Sequence, residues 1–407
     1  MSNDKQNTLE SSNEKNLIQR LFDSKSALVI LLLMLVGPYM LTRDIKTTKV
    51  LYEFVTAVAS WAVFLLYARY GKLTLPVKWL LVFLGWTFVT TFFISGNTLS
   101  FYQLFLPITA ISLLIELAFM YEGYNLLDAV AVFRIYIYVN LALIFIYPNG
   151  VTGLSRWLLG YRNIQSWFLL PFMTLMIIRA LWKYHKLDVF TIVDILVSVF
   201  TIIRIKSSTS WVGLFVYLVI AGIAVACYKM EKGMPRIINL FDGWIVSFAF
   251  LFGVIICKWQ AVFEPIIVRI LHRDISFSGR TGLWDMVINY IKTHWLFGYG
   301  YLTRADYSKM FGGKQGYCHP HNYVLTLVME GGVVLLDIVL IGFLFTGIRL
   351  CKQRNNMIAN LFVALLCSFL VMGFTEALSV YMCPLLYPML VLSVHAEQLR
   401  NVTKMKE

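Results

Sequence analysis

The residues best suited to chemistry lie together in one polar segment, residues 258–321. This segment interrupts an otherwise hydrophobic chain, and it contains Arg280 beside a glycine and two histidines, His319 and His321, on either side of a proline. A guanidinium holds an anion through its fixed charge and its several donors, and a neutral imidazole accepts a proton near neutral pH. The segment therefore predicts a site that binds an anionic group and moves a proton.

The two histidines also raise the question of a metal ion. A zinc site needs three or four protein ligands or waters, and the segment offers no matching cluster of carboxylates or cysteines apart from Cys318. We therefore expect no metal and no other cofactor. A histidine that precedes a helix at a membrane interface can equally be a structural cap, and this interpretation stays open beside the role of a base.

The residues around Arg280 predict an amphipathic helix that lies against the membrane surface. Thr281 can cap this helix, and Asp285 falls in its first turn. Its apolar residues follow at helical spacing, at Trp284, Val287, Ile288 and Ile291. Gly279 and the positive end of the helix would favour an anion at Arg280. The plainer alternative is an interfacial helix whose arginine reaches lipid head groups.

The elements that must position these residues are membrane-spanning helices. Of the 407 residues, 59% are hydrophobic and 14% charged, and the mean hydropathy is +0.72, which leaves too little polar surface for a soluble globule. We predict an all-α, polytopic integral membrane protein with about 12 transmembrane helices and a large loop between the ninth and the tenth. The predicted spans are residues 27–42, 50–68, 79–95, 101–120, 126–147, 164–182, 188–205, 209–228, 240–257, 323–348, 357–375 and 378–395.

The basic residues predict which side of the membrane each segment faces. The net charge of +13 does not indicate a nucleic-acid partner, because Lys and Arg lie beside span ends rather than on one face. Their excess in alternate connecting segments places both termini in the cytoplasm and the polar loop outside the cytoplasmic membrane. The predicted parts are a cytoplasmic tail without a signal peptide at 1–26, helices at 27–257, an extracytoplasmic catalytic loop at 258–321, helices at 322–395 and a cytoplasmic tail at 396–407.

Charged residues inside the predicted spans need partners, because an isolated charge is costly in hydrocarbon. Glu330 and Asp337 are seven residues apart, which predicts that they share one face of the helix after His321. Two roles stay open for them, positioning of the histidine or a structural ion pair with Arg134. The ion pair is the preferred interpretation.

Three short motifs in this part of the chain occur together. The first is Ser278-Gly279-Arg280-Thr281 with Trp284, the second is Gly298-Tyr299-Gly300, and the third is His321-Asn322 followed after nine residues by Gly332. This combination resembles the signature region of the O-antigen ligase and O-antigen polymerase family of bacterial membrane proteins. Two positions depart from the family pattern, at Trp295 and Leu335, and both concern packing rather than chemistry.

The resemblance implies a substrate and a role for each residue. Members of that family act on glycans carried on undecaprenyl diphosphate, and they move the glycan to a hydroxyl acceptor outside the cytoplasmic membrane. By this resemblance Arg280 would hold the leaving diphosphate and His321 would take the proton of the acceptor. The further candidates for substrate contact are Asn322, His319, Arg156, Arg162 and Arg204. For the last three, anchoring to lipid head groups remains the plainer interpretation.

The function predicted from this resemblance is that of a polysaccharide polymerase for a capsule, an exopolysaccharide or an O-antigen. It would transfer a growing glycan from undecaprenyl diphosphate to a lipid-linked repeat unit, with inversion and without a metal ion. A ligase that transfers glycan to lipid A core or another acceptor is the first alternative, and a transporter or flippase for lipid-linked sugars is the second. Expected partners are lipid-linked glycans, membrane lipid, a flippase and chain-length regulators, in a bacterial cytoplasmic membrane.

Overall fold

The computed structural model describes residues 18–151, 154–259, 262, 279–313, 318–378 and 383–404. This part of the chain is almost entirely helical, and its one small sheet pairs β1 (Arg156–Trp157) with β2 (Gly160–Tyr161) in antiparallel register. The predicted all-α fold is therefore confirmed.

The helices that matter for the argument are numbered in chain order. They are α1 (Lys25–Leu35), α2 (Lys46–Tyr70), α3 (Leu75–Ser95), α4 (Thr98–Met120), α5 (Asn125–Ile146), α6 (Ser166–Tyr184), α7 (Val189–Arg204), α8 (Ser208–Lys229), α9 (Leu240–Ile256), α10 (Arg280–Thr293), α11 (Arg304–Met310), α12 (Tyr323–Lys352), α13 (Met357–Met372), α14 (Leu386–Ser393) and α15 (Ala396–Lys404).

Seven helices in the described part are long and apolar enough to cross a membrane, namely α2 to α6, α8 and α12. The shorter apolar helices are α1, α9 and α13. The polytopic character of the protein is thus confirmed, but the number of 12 spans is not. In particular, the predicted span 378–395 is not one long helix, because α14 has only eight residues and ends at Ser393. Part of that prediction, residues 379–382, lies outside the described residues.

Polar side chains fix where several helices begin. The side-chain oxygens of Asp188, Asn239, Asn322 and Asn356 accept hydrogen bonds from the first turns of α7, α9, α12 and α13. The first four backbone N–H groups of a helix have no partner within the helix, and such caps satisfy them. A short polar residue before an apolar run therefore sets the position of each helix in the chain.

The chain divides into two compact units. The first comprises Met1–Val77, Leu106–Ser207 and Tyr387–Glu407, and the second comprises Lys78–Phe105 and Ser208–Leu386. In the first unit Arg134 donates from Nε to Asp194 Oδ1 at 2.7 Å, and Asp194 is fully buried. The predicted ion pair of Arg134 with Glu330 or Asp337 is therefore wrong, because the arginine is held by a nearer carboxylate on α7.

In the second unit, helix α12 is broken at Gly332, whose φ of 70° and ψ of −173° are not helical. The break releases backbone groups that would otherwise bond within the helix. The loop after α10 takes them up, because Val333 N donates to Trp295 O at 2.9 Å and Tyr299 N donates to Met329 O at 2.9 Å. The loop and the broken helix are thus joined through their backbones.

The break also corrects the prediction that Glu330 and Asp337 share one helix face. Gly332 lies between them, so the helical spacing that would align the two carboxylates is interrupted. Glu330 instead accepts a hydrogen bond from the hydroxyl of Tyr307 on α11 at 2.9 Å. Neither predicted role for Glu330, a pair with Arg134 or the positioning of His321, is what its contacts show.

Replacing Gly332 by alanine is expected to lower the free energy of unfolding by at least about 2 kcal/mol. Its positive φ is strained for any L side chain, and an added Cβ would overlap the backbone of Leu296. Thermal unfolding of the purified protein measures this loss. Gly222→Ala on α8 is the matched control, because nothing lies within 4 Å of its added Cβ. Equal stability of the two variants would contradict the account of the break.

Candidate active site

Three segments of the second unit meet around Arg280 and His321. They are the first turn of α10, the residues just before α12 and the residues just after α13. Helix α10 buries Trp284 and Val287 of the predicted apolar face together with Leu283, whereas Ile288 and Ile291 are only partly buried. Trp284 Nε1 also donates to the carbonyl oxygen of Pro320 at 3.1 Å. This bond ties α10 to the residue that precedes His321.

Helix α10 begins two residues earlier than predicted. Arg280 is its first residue, and Gly279, with a φ of 82°, takes the capping position in place of Thr281. A left-handed backbone is accessible to glycine without steric cost, so the chain can turn sharply into the helix here. As a result the arginine side chain leaves from the first turn of α10. Ser278, the first residue of the motif, lies outside the described residues.

Asn322 connects the start of α12 to the segment after α13. Its Oδ1 accepts from Leu325 N at 3.0 Å, and its Nδ2 donates to the carbonyl oxygen of Phe374 at 3.1 Å. A backbone bond from Tyr323 N to Gly373 O at 2.8 Å closes the same junction. The buried amide of Asn322 is thus engaged at both ends, which suits positioning of the neighbouring histidine. Direct contact of Asn322 with a sugar stays a prediction.

A carboxylate that the motifs did not include, Glu376, joins the arginine to the histidine. Arg280 Nη2 lies 2.9 Å from Glu376 Oε1, and His321 Nδ1 lies 3.3 Å from Glu376 Oε2. Arg280 Nη1 also donates to the carbonyl oxygen of Thr375. The side chain of Glu376 is only 1% exposed, whereas that of His321 is 15% exposed. The two predicted residues therefore share one buried carboxylate and one site.

The backbone and the ring of His321 are both constrained. Its φ is 52°, a left-handed conformation that is uncommon for a residue with a side chain. The ring centroid lies 3.7 Å from that of His319, and the backbone N–H of His321 donates to His319 Nδ1 at 3.3 Å. Strained residues of this kind concentrate at functional sites because the surrounding structure must hold them in place. Here the bonds of Asn322 and Glu376 supply that constraint.

The charges of the cluster follow from these contacts. Burial raises the pKa of Glu376, but the hydrogen bond and charge of His321 and the charge of Arg280 outweigh it and lower that pKa from 4.5 to about 2. Desolvation, followed by the charge of His321, lowers the pKa of His319 well below its usual value. At neutral pH the cluster thus contains an ionised Glu376, a charged Arg280 and a neutral His319.

The carboxylate also selects the tautomer of His321. With Nδ1 facing Glu376, we assign the ring proton to Nδ1, because only an N–H can donate to a carboxylate. Nε2 then carries a lone pair, and no hydrogen bond engages Nε2 within the described residues. The ring is therefore prepared to accept a proton at Nε2, with Glu376 stabilising the imidazolium that forms.

The same residues meet the distance requirement for a metal ion. His319, His321 and Glu376 each offer one ligand atom, and these atoms lie within 4.8 Å of one another. A set of two histidines and one glutamate binds zinc in several enzymes. The position of Arg280 argues against a metal ion, because its positive charge already pairs with Glu376, the carboxylate that a metal ion would need. The predicted absence of a metal stays a prediction.

The remaining predicted contacts belong to the first unit. Arg156 Nη1 lies 3.1 Å from Asp44 Oδ1, Arg162 lies over the ring of Tyr161, and Arg204 lies over the ring of Phe145. Each arginine thus has a local partner in that unit. Their contact with a substrate, and that of His319, stays a prediction.

Sequence reasoning missed the role of Glu376, although one signal was present. Glu376 is an acidic residue four positions after the last residue of α13, at the end of a long apolar run. An acid at the end of a membrane span needs a compensating donor, and the unpaired motif residues Arg280 and His321 were the nearest candidates in the same predicted layer. Glu376 lies 55 residues after His321, and no helical or strand periodicity at that spacing would have predicted a contact between the two.

One comparison with known proteins matches the part of the chain that contains most of this site. Residues 192–340 match the family model described as O-Antigen ligase, and the matched range includes Arg280, His319, His321 and Asn322 but ends before Glu376. A search of curated protein sequences finds no match to the chain. The resemblance indicated by the three motifs is therefore confirmed by an independent comparison over residues 192–340.

Proposed function

We propose that the protein is a membrane glycosyltransferase that polymerises lipid-linked repeat units. It transfers a growing glycan from undecaprenyl diphosphate to the sugar of a new repeat unit at the outer face of a bacterial cytoplasmic membrane. The observation that supports this most directly is the cluster in which Glu376 joins Arg280 to His321. It places an anion-binding group and a proton acceptor on either side of one carboxylate.

Arg280 serves the donor side of this reaction. When the bond between the anomeric carbon and the diphosphate breaks, the electron pair leaves with the diphosphate, and the growing negative charge needs a cationic donor. The Arg280 side chain is mostly buried and fixed by Glu376 and Thr375. Because the guanidinium is already oriented, little reorganisation is needed when the negative charge develops on the diphosphate.

His321 serves the acceptor side. The acceptor hydroxyl attacks the anomeric carbon, forms the new C–O bond and gives its proton to Nε2 of His321. Glu376, hydrogen-bonded to Nδ1, stabilises the positive charge on the ring. Because a diphosphate is a good leaving group, the step needs no metal ion, and a single displacement inverts the anomeric centre.

Replacing Arg280 by lysine is expected to lower kcat/KM for the lipid-linked donor about 100-fold. Lysine keeps the charge but lacks the planar fork of donors that makes a bidentate contact, and loss of such a charge-assisted contact costs on the order of 2–3 kcal/mol. The measurement is the rate of chain extension by purified protein with a lipid-linked repeat. Arg349→Lys is the matched control, because this exposed arginine lies in the last turn of α12, far along the helix from His321.

A complementation experiment tests the proposed function itself. Cells that lack the gene receive the wild type or Arg280→Ala, and both lipid-linked and surface glycans are separated on a gel. Single lipid-linked repeats without long chains in the variant support a polymerase. Long chains that stay on the lipid carrier identify a ligase instead. If repeat units fail to reach the outer face at all, the protein is a transporter and the proposal is overturned.

A further inference from the structure

Three basic side chains converge on one carboxylate in the first unit. Asp128 Oδ1 accepts from Arg179 Nε at 2.7 Å, and Asp128 Oδ2 lies 2.7 Å from Lys183 Nζ and 3.5 Å from Lys25 Nζ. Three positive charges against this one carboxylate leave the cluster with an excess of positive charge.

The cluster lies at the ends of helices that are long enough to cross a membrane. Asp128 is in the first turn of α5, and Arg179 and Lys183 are in the last two turns of α6. The ring of Tyr184, the last residue of α6, lies 5.8 Å from Arg179 and 5.7 Å from Lys183. Basic and aromatic residues at span ends mark the depth of the lipid head groups.

The cluster retains donors that its own carboxylate does not use. Arg179 is only 8% exposed, and Nε is its one hydrogen-bond donor in use within the described residues. Its two Nη nitrogens have no hydrogen-bond acceptor in that part of the chain. Lys183 and Lys25 are exposed and extend the same positive surface outwards. A buried guanidinium with unused donors beside two exposed ammonium groups is suited to an oxygen-rich anion.

We propose that Lys25, Arg179 and Lys183 form a binding site for the phosphate of an anionic phospholipid. The phosphodiester of phosphatidylglycerol carries one negative charge, which offsets part of the excess positive charge of the cluster. A zwitterionic head group also carries a positive charge, so its electrostatic attraction to the cluster is weaker. The distribution of basic residues predicts that this end of α6 faces the cytoplasm, so the lipid comes from the inner leaflet. The inference does not depend on the proposed transferase reaction.

The test measures lipid binding to the full-length protein. The purified chain in detergent is titrated with phosphatidylglycerol, phosphatidylcholine or inorganic phosphate, and thermal unfolding and native mass spectrometry report the bound lipid. The main variant is Lys25→Gln/Lys183→Gln, which keeps the buried pair of Arg179 and Asp128 intact. Lys186→Gln is the matched control, because Lys186 is an exposed lysine just beyond α6 that makes no contact with Asp128 among those observed.

We expect the double variant to bind phosphatidylglycerol about 30-fold more weakly, which corresponds to about 2 kcal/mol for two basic side chains near the membrane surface. The control variant should bind as the wild type does, and phosphatidylcholine should shift the unfolding temperature less than phosphatidylglycerol. Equal affinity of the double variant and the control overturns the site. A shift by inorganic phosphate as large as that by the lipid overturns the assignment to a lipid.

Discussion

Replacement of His321 by alanine is expected to lower glycan transfer about 1,000-fold while the protein stays folded and inserted. A positioned general base contributes roughly 10²–10⁴ in rate, and the Nε2 of His321 is the nitrogen that the site leaves available for this purpose. The fold should tolerate the change, because the ring is partly exposed and the bonds of Asn322 and Tyr323 to the segment after α13 stay intact. The rate of chain extension with a lipid-linked repeat measures the effect.

The matched control is His294→Ala, in the same predicted extracytoplasmic loop. His294 is exposed at the end of α10, where its ring contacts Thr293 and Tyr299 and, among the residues that the structure describes, no carboxylate. Its loss should change the rate less than about threefold, since surface substitutions away from special features have small effects. If His321→Ala retains more than about a tenth of the wild-type rate, His321 is not the base. Because Asn322 is the cap of α12, the ring of His321 would then have only the structural role of holding Glu376 in place.

The site could be predicted from sequence only in part. Arg280 and His321 were identified because their residue types suit the chemistry and their motifs lie within one polar segment. Glu376 was not, because an ion pair across 55 residues depends on how α10, α12 and α13 are arranged, and no spacing in the chain encodes that arrangement. Asn322 is the neighbour of the histidine in the sequence. Its side-chain amide forms hydrogen bonds at both ends with backbone groups, and the sequence does not reveal which groups these are.

The fold, like the site, could be predicted from the sequence only in part. Long apolar runs predicted most helices to within a few residues, because hydrocarbon thickness alone requires them. The break at Gly332 was missed, since a glycine within an apolar run is compatible with a continuous helix. The backbone of Trp295 and Tyr299 makes the break favourable, because it bonds the groups that the break releases. Long-range backbone pairing of this kind leaves no local signal.

Replacement of Glu376 by glutamine is expected to lower kcat about 100-fold without raising KM for the lipid-linked donor. The amide has nearly the same shape, but its NH₂ group can face the histidine and favour the tautomer with the proton on Nε2. That tautomer cannot accept the acceptor's proton at Nε2, and in a catalytic triad the equivalent carboxylate-to-amide change costs about 10⁴ in kcat. Arg280 loses a competing anion, so donor binding should not weaken.

Glu376→Asp is the conservative control and should recover part of kcat, because it restores the charge at a slightly greater distance. A purely structural role for Glu376 would instead lower the amount of folded protein in both variants and leave kcat per folded molecule unchanged. The dependence of stability on pH gives a second, independent measurement. The folded-state pKa of Glu376 is lowered from 4.5 to about 2, so its contribution is present above about pH 4.5 and is lost as the pH falls towards 2.

Glu376→Gln removes the stabilisation that the ionised carboxylate provides, which in the wild type is present above about pH 4.5. The free energy of unfolding of the glutamine variant should therefore change less than that of the wild type between about pH 4.5 and 2. Parallel curves for the two proteins would mean that Glu376 is not ionised against Arg280 and His321 in the folded state. Both the kinetic and the acid-stability results follow from one feature, a buried carboxylate that must stay charged to hold an arginine and a histidine together.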